Sequence, residues 1–298
     1  MSISPSRKVR SVGVVGSGTM GSGLAEVALR AGYDVVLRSR TRDAAETVRC
    51  TLRLRLDRDV ARQKLRREER DDIVGRFRTT TMLADLAGCD LVIESVTEDL
   101  AIKQRLFSEL DELMDPAAIL ATNTSTLPVI DIARATNRPE KICGIHFFNP
   151  VHSMRLVEVV RPLVANDDTV TTAVEFARSC GKDAIVVEDT AGFVVNALLF
   201  PYLNNAIRMW ERGTASMEAI DTAMCGGCNF PMGPFALLDL VGLDTSLAIL
   251  DALHAEFRDP NYAACATMRR KVSAGHLGRK SGLGFYTYEC TDRLTATA

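Results

Sequence analysis

Two motifs and one change of character predict an α/β chain in two domains: a mostly parallel, helix-flanked sheet, then an all-helical region. The first motif is a glycine turn, Gly16-Ser-Gly18-Thr-Met-Gly21, between an apolar run and a helical pattern. The second is a pair of apolar runs, 142–148 and 156–160, joined by a short connection. The change falls near Asp189: strands and helices alternate as far as Val187, and only helical patterns follow from Gly192. We therefore expect a sheet domain over 1–189 and a helical domain over 190–298.

Taken in order, residues 8–15 form a short strand, 22–30 a helix stopped by Gly32, and 35–37 a second strand. Strand, glycine turn, helix, strand is the order of a nucleotide-binding βαβ unit. Gly16 permits the tight turn, Gly18 lets the backbone approach a pyrophosphate, and Gly21 lets helix and strand pack closely. Thr19 and Met20 complete the turn, and the helix N-terminus offers N–H groups and a positive dipole end to phosphates. A bound dinucleotide is expected here rather than a structural glycine turn. The residue ending the second strand decides which one. A carboxylate there accepts from the adenosine 2′-hydroxyl and repels a 2′-phosphate. Ser39 stands at that place and Arg40 follows it. A small hydroxyl beside a guanidinium suits a phosphate, so NADP(H) is expected. NAD(H) stays open if the basic strand end is only a solvated edge.

Residues 43–78 are polar and helical in pattern, long for a plain crossover, and predict an inserted helical pair. A buried strand over 90–96 and an amphipathic helix over 99–114 come next. The strand at 118–121 runs into a loop of hydroxyls, Thr122-Asn123-Thr124-Ser125-Thr126, and 183–187 closes the alternating region. Helical patterns then cover 193–209, 216–225, 235–240, 245–257 and 263–274, punctuated by Pro201, Pro231 and Pro234. The runs 142–148 and 156–160 read as a hairpin centred near Val151 and His152, which sets His146 opposite Val157 or Glu158. A carboxylate beside an imidazole orients the ring, fixes its tautomer and favours its protonated form. From these residues alone the pair reads equally as an acid/base catalyst and as a structural His beside a surface Glu.

Composition narrows the classes. The chain has 298 residues, 47% hydrophobic and 25% charged, enough for two separate cores. A net charge of −2 gives no general case for nucleic acid or a membrane surface. The basic cluster at 53–70 is mixed with Asp57, Asp59, Glu68, Glu69, Asp71 and Asp72, the pattern of a solvated helix face. No apolar run is long enough to span a bilayer, and residues 1–11 lack the apolar core of a secretory signal. The cysteines sit mostly singly in apolar segments. Cys225-Gly-Gly-Cys228 has no second ligand pair, so no metal site is expected. The expected location is the cytoplasm.

Read together, the motifs resemble the 3-hydroxyacyl-CoA dehydrogenase family, and within it the short 3-hydroxybutyryl-CoA dehydrogenases. The blocks that carry the resemblance are GSGTMGSGLAEV, ATNTSTLPV, GIHFFNPVHSMRLVEVV, DTAGFVVNALLFPYLNNAIRMWERG, PMGPFALLDLVGLD and GRKSGLGFY, spread over nearly the whole chain. The resemblance implies a Rossmann-type domain followed by an all-helical domain that forms much of a homodimer interface. It puts the catalytic pair on His146 and Glu158. It puts Ser125 and Asn196 beside the reacting oxygen, where a helix cap and a helix hydrogen bond are their plain structural alternatives. It implies cofactor contacts for Glu98, Lys103 and Asn123, and a substrate contact for Asn149. The implied substrate is a short 3-hydroxyacyl-CoA.

Some positions depart from the family pattern. Ser39 replaces the Asp usual in NAD-using members, His152 stands where Pro is common, and Ala191 replaces another common Pro. The Cys225/Cys228 pair falls where relatives often carry Leu-Gly-Ala-Gly. Two rival activities share the architecture: a dehydrogenase of free hydroxy acids, and one acting on a thioester held by an acyl-carrier protein. A non-catalytic NADP-binding or crystallin-like protein is the rival of another class. The joint presence of Ser125, His146, Glu158 and Asn196 argues against it.

Overall fold

The computed structural model describes residues 9–289. They form two compact units that divide between Thr190 and Ala191. In the first, β1 (Ser11–Val15), β2 (Asp34–Arg38), β3 (Phe77–Thr80), β4 (Leu91–Glu94), β5 (Ile119–Thr122), β6 (Ile142–Phe147), β7 (Leu156–Arg161) and β8 (Asp183–Glu188) make one sheet. The spatial order is β3-β2-β1-β4-β5-β6-β7-β8, and neighbours are parallel except at β6–β7. Strands β4, β5 and β6 are buried along their whole length, as continuous apolar runs in a helix-covered parallel sheet should be. The order reverses between β1 and β4, which makes the carboxyl ends of these two strands the switch point where such sheets bind ligands.

The covering helices are α1 (Thr19–Arg30), α2 (Arg42–Ala61), α3 (Arg67–Gly75), α4 (Leu100–Leu113), α5 (Val129–Ala133) and α6 (Asp167–Ser179). Helix α4 shows the logic of the rest. Asp99 caps it by accepting from the Ile102 N–H at 2.9 Å, and it buries Lys103, Phe107, Leu110 and Asp111 along one stripe. Helix α5 takes its cap from far away: the Asp189 carboxylate accepts from Val129 N–H at 2.9 Å and Ile130 N–H at 2.6 Å.

The expected helical pair over 43–78 is present as α2 and α3, but Phe77 and Arg78 belong to a strand. Phe77 lies beside Val35 of β2 and is buried, while Arg78 faces out. A four-residue edge strand is too short to show its two-residue period against the preceding helix. The sequence reading assigned no element to α6, although Asn166 caps it by accepting from the Thr169 N–H at 2.8 Å. Part of the basic cluster is answered by its own acids, Arg66 reaching Glu69 at 2.8 Å and Arg70 pairing with Asp57 and Asp71, while Arg55 crosses to Glu26 of α1 at 3.2 Å and Asp59 takes Arg30 of α1 at 2.6 Å. The Arg66–Glu69 pair is solvated, whereas Glu26 is buried between α1 and α2.

The second unit contains α7 (Val195–Glu211), α8 (Met217–Cys228), α9 (Pro234–Val241), α10 (Leu243–Phe257) and α11 (Ala266–Ser273). Its core holds Phe200, Leu203, Ile207, Phe235, Leu250 and Leu253. Trp210, Phe235 and Phe285 pack edge to face, with Phe235 and Phe285 centroids 4.9 Å apart. Among the described residues of this unit the only strand-like pairings are isolated bridges at Gly278, Leu283 and Thr287. Cys225 and Cys228 are unbridged. No group of described residues could hold a metal ion, and no described helix is long and apolar enough to cross a membrane.

Candidate active site

The glycine turn joins β1 to α1 at the switch point. Gly16 has φ +124°, a conformation that favours glycine, and a Cβ there would stand 2.2 Å from the Ser95 carbonyl oxygen at the end of β4. A Cβ at Gly21 would stand 2.2 Å from the Gly16 carbonyl oxygen. These two contacts draw α1 against the strand ends. Beside Gly18 the space is open, and no side chain caps the α1 N-terminus, which begins at Thr19 and Met20. A glycine cradle at an uncapped helix N-terminus fits the pyrophosphate of a dinucleotide.

Ser39 follows β2 and is 1% exposed. Its hydroxyl lies 2.9 Å from the Ser17 hydroxyl of the glycine turn. Arg40, the next residue, is exposed. The strand end thus carries a buried Ser39 bonded to Ser17 and an exposed Arg40, and residue 39 is not a carboxylate.

The ends of β4 and β5 carry a buried charge network. Lys103 is 1% exposed, and its ammonium donates to both Glu94 carboxylate oxygens, at 2.7 and 2.9 Å. Glu94 also accepts from Thr122 Oγ1 at 2.7 Å and Val96 N–H at 2.6 Å. Lys103 reaches Glu98 at 3.3 Å, and Glu98 accepts from Thr124 Oγ1, from the Ser125 N–H at 2.9 Å and from the Ser125 hydroxyl at 3.4 Å. Burial works to raise the Glu98 carboxyl. The Lys103 charge and the bonds from Thr124 and Ser125 outweigh it and hold the group below its ordinary value. Lys103 therefore faces Glu94 and Glu98, and Glu98 holds the loop that carries Ser125. Sequence reasoning did not single out Glu94. Its signal is a carboxylate at the end of an apolar strand, matched by a lysine on the apolar stripe of α4.

Asn123 follows β5. Its side-chain oxygen accepts from the Phe147 N–H at 2.9 Å, one residue beyond His146. In the antiparallel β6–β7 ladder His146 stands directly opposite Glu158, the second of the two partners that the hairpin reading offered. His146 Nδ1 lies 2.8 Å from Glu158 Oε2, with His146 5% and Glu158 0% exposed. The Phe148 ring lies against the imidazole, 4.4 Å between centroids. Asn149 is exposed in the connection that follows. Of the residues singled out from the sequence, the first unit thus pairs His146 with Glu158, Ser125 and Lys103 with Glu98, and Ser39 with the glycine turn. Asn196 is buried near the start of α7, in the second unit.

A doubly wound sheet with a glycine cradle at its switch point and an imidazole–carboxylate pair beyond it defines a dinucleotide-linked oxidoreductase class. Residues 11–190 match the model of the 3-hydroxyacyl-CoA dehydrogenase NAD binding domain, and residues 192–288 match that of the 3-hydroxyacyl-CoA dehydrogenase C-terminal domain. The chain is 46% identical over 282 residues to a 3-hydroxybutyryl-CoA dehydrogenase of Mycobacterium tuberculosis, covering 94% of this chain and 99% of that one. It is 40% identical over 289 residues to the human mitochondrial hydroxyacyl-coenzyme A dehydrogenase, covering 94% and 92%. The crystal structure of an (S)-3-hydroxybutyryl-CoA dehydrogenase from Ralstonia eutropha superposes with a TM-score of 0.92 at 39% identity, covering 95% of this chain and all of that one. The chain belongs to the 3-hydroxyacyl-CoA dehydrogenase family.

Proposed function

We propose that this protein interconverts short (S)-3-hydroxyacyl-CoA thioesters, 3-hydroxybutyryl-CoA foremost, with the 3-ketoacyl-CoA. The observation that carries the mechanism is the buried 2.8 Å contact between His146 Nδ1 and Glu158 Oε2. With Nδ1 held by the carboxylate, Nε2 is the nitrogen that handles the substrate proton. In oxidation neutral His146 takes the 3-hydroxyl proton at Nε2. In reduction the imidazolium returns it, and Glu158 stabilises the positive ring and keeps its orientation. Ser125 and Asn196 orient the reacting oxygen and stabilise the charge that develops on it. The nicotinamide dinucleotide supplies the hydride acceptor or donor at C3. Glu98 and Lys103 hold the Ser125 loop beside the cofactor, Asn123 fixes the end of β6, and Asn149 contacts the substrate.

The cofactor we assign is NADP(H) in preference to NAD(H). Support comes from the hydroxyl of Ser39 turned to Ser17, with exposed Arg40 next in the chain, where a 2′-hydroxyl-binding carboxylate would exclude the phosphate. The matching family domain is described as NAD binding, so NADH is the rival that the assay must measure. A homodimer formed through the helical unit is the assembly we assign, supported by exposed apolar side chains on α7 and α9: Leu198, Met209 and Leu240. The deciding experiment is reduction of acetoacetyl-CoA with NADPH and with NADH, the product resolved by chirality. Turnover to the (S)-3-hydroxy thioester supports the reading. Oxidation of a free hydroxy acid with no turnover of any short 3-ketoacyl-CoA refutes it.

A further inference from the structure

The geometry points to Lys182 as a positioning residue that clamps the turn between the strands carrying His146 and Glu158. Lys182 lies between α6 and β8. Helix α6 ends at Ser179, and Gly181, in the left-handed region at φ +72°, turns the chain back so that the Lys182 N–H donates to Ala177 O at 3.1 Å. The side chain then reaches the β6–β7 connection. Its ammonium donates to Val151 O at 2.6 Å and to Met154 O at 2.8 Å. Lys182 is 8% exposed, and burial pulls its ammonium below the ordinary lysine range. A buried charge is retained where its donors are used. Here they meet two carbonyls of a turn that an apolar side chain would leave without those bonds.

The turn is fixed from two further sides. The Ser153 and Met154 N–H groups both donate to Pro150 O, at 3.1 and 3.0 Å. Val151 packs on α1 so closely that a Cβ added at Gly23 would stand 2.9 Å from the Val151 Cβ. The helix that follows the glycine cradle therefore abuts this turn directly. The turn is also the continuation of β6 past His146: Phe148 touches the imidazole, and Asn149 comes next. Holding Val151 and Met154 in place holds Phe148 and Asn149 in place beside the reacting group. Reactivity is sensitive to misplacement of this kind, where about 1 Å costs on the order of a hundredfold.

This role rests on the proposed dehydrogenase reaction, so the test needs one readout that is independent of turnover. Hydrogen exchange of the Ser153 and Met154 amides in the unaltered protein supplies it: the clamp requires protection well above that of an open loop. Lys182→Met should abolish that protection, lower kcat about tenfold to a hundredfold, and leave dinucleotide affinity within about twofold. Lys182→Arg, which keeps charge and donors, should recover part of the kcat. Val151→Ala loosens the α1 side alone and gives a smaller fall of the same kind if Lys182→Met does not fold. The proposal is overturned by fast exchange of both amides in the unaltered protein. It is equally overturned by unchanged kcat in a folded Lys182→Met protein, or by a loss that only tracks the unfolded fraction. If the unaltered protein turns over no 3-ketoacyl-CoA, the reaction is wrong, and amide exchange still decides the clamp.

Discussion

At the scale of single residues, burial gives the His146–Glu158 contact its weight. Glu158 is wholly enclosed, so under the proposed mechanism a positive ring at His146 would find its countercharge in that carboxylate and not in water. His146→Gln should therefore lower kcat by about a hundredfold to ten-thousandfold with little change in dinucleotide affinity. Glu158→Gln keeps the shape but removes the countercharge, and should also depress kcat. Steady-state kinetics on both variants checks this, and near-normal kcat in either removes the assignment. The proposed cofactor choice is tested at the same scale. A guanidinium on a 2′-phosphate is a charge-assisted contact of about 1.5–3 kcal/mol, or roughly tenfold to a hundredfold in affinity. The unaltered protein should favour NADPH in kcat/KM. Ser39→Asp with Arg40→Gln should reverse the order and leave kcat with the preferred cofactor largely intact. A tenfold preference of the unaltered protein for NADH would make Arg40 a solvated edge residue.

Between residues and the whole stands the loop at 123–128. Glu98 gathers it through the Thr124 hydroxyl, the Ser125 amide and hydroxyl and the Thr126 hydroxyl. Because the folded carboxyl lies below its ordinary value, its contribution to stability is full above that value, near 4.5, and fades as pH falls through the folded one. Glu98→Gln lacks this contribution at every pH. The Tm of the unaltered protein should thus fall more steeply than that of the variant as pH drops below about 4.5. Parallel melting curves would show that Glu98 carries no such linkage. The loop also marks where reading the sequence stops. The glycine turn, the strand–helix alternation and the hairpin that sets His146 opposite Val157 or Glu158 were legible, because each rests on local spacing or on the lengths of two adjacent apolar runs, and the ladder then selects Glu158. Glu94 was not, nor was the Asp189 cap on α5. These contacts join residues 9 to 60 positions apart through the tertiary fold, and no period announces them. Strand β3 escaped for a different reason: four residues hold too few alternations to outweigh the helical pattern before them.

For the molecule as a whole, the helical unit has a core of its own, yet α7 exposes Leu198 at 72% and Met209 at 47%. Apolar side chains left outside a formed core are suited to association. Light scattering at micromolar concentration should give twice the mass of one chain, and Leu198→Asp should shift the population toward monomer. A monomeric unaltered protein would remove this assignment.

The Asp189 cap has a consequence for how the two units can be recombined. The last acidic residue before the division belongs, by its bonds, to α5 and so to the sheet unit. A chimaera that grafts a foreign helical module onto this sheet should place its seam after Asp189. A seam even one residue earlier hands the capping of Val129 and Ile130 to whatever side chain the donor brings, and the damage would surface 60 positions upstream of the splice, close to Ser125.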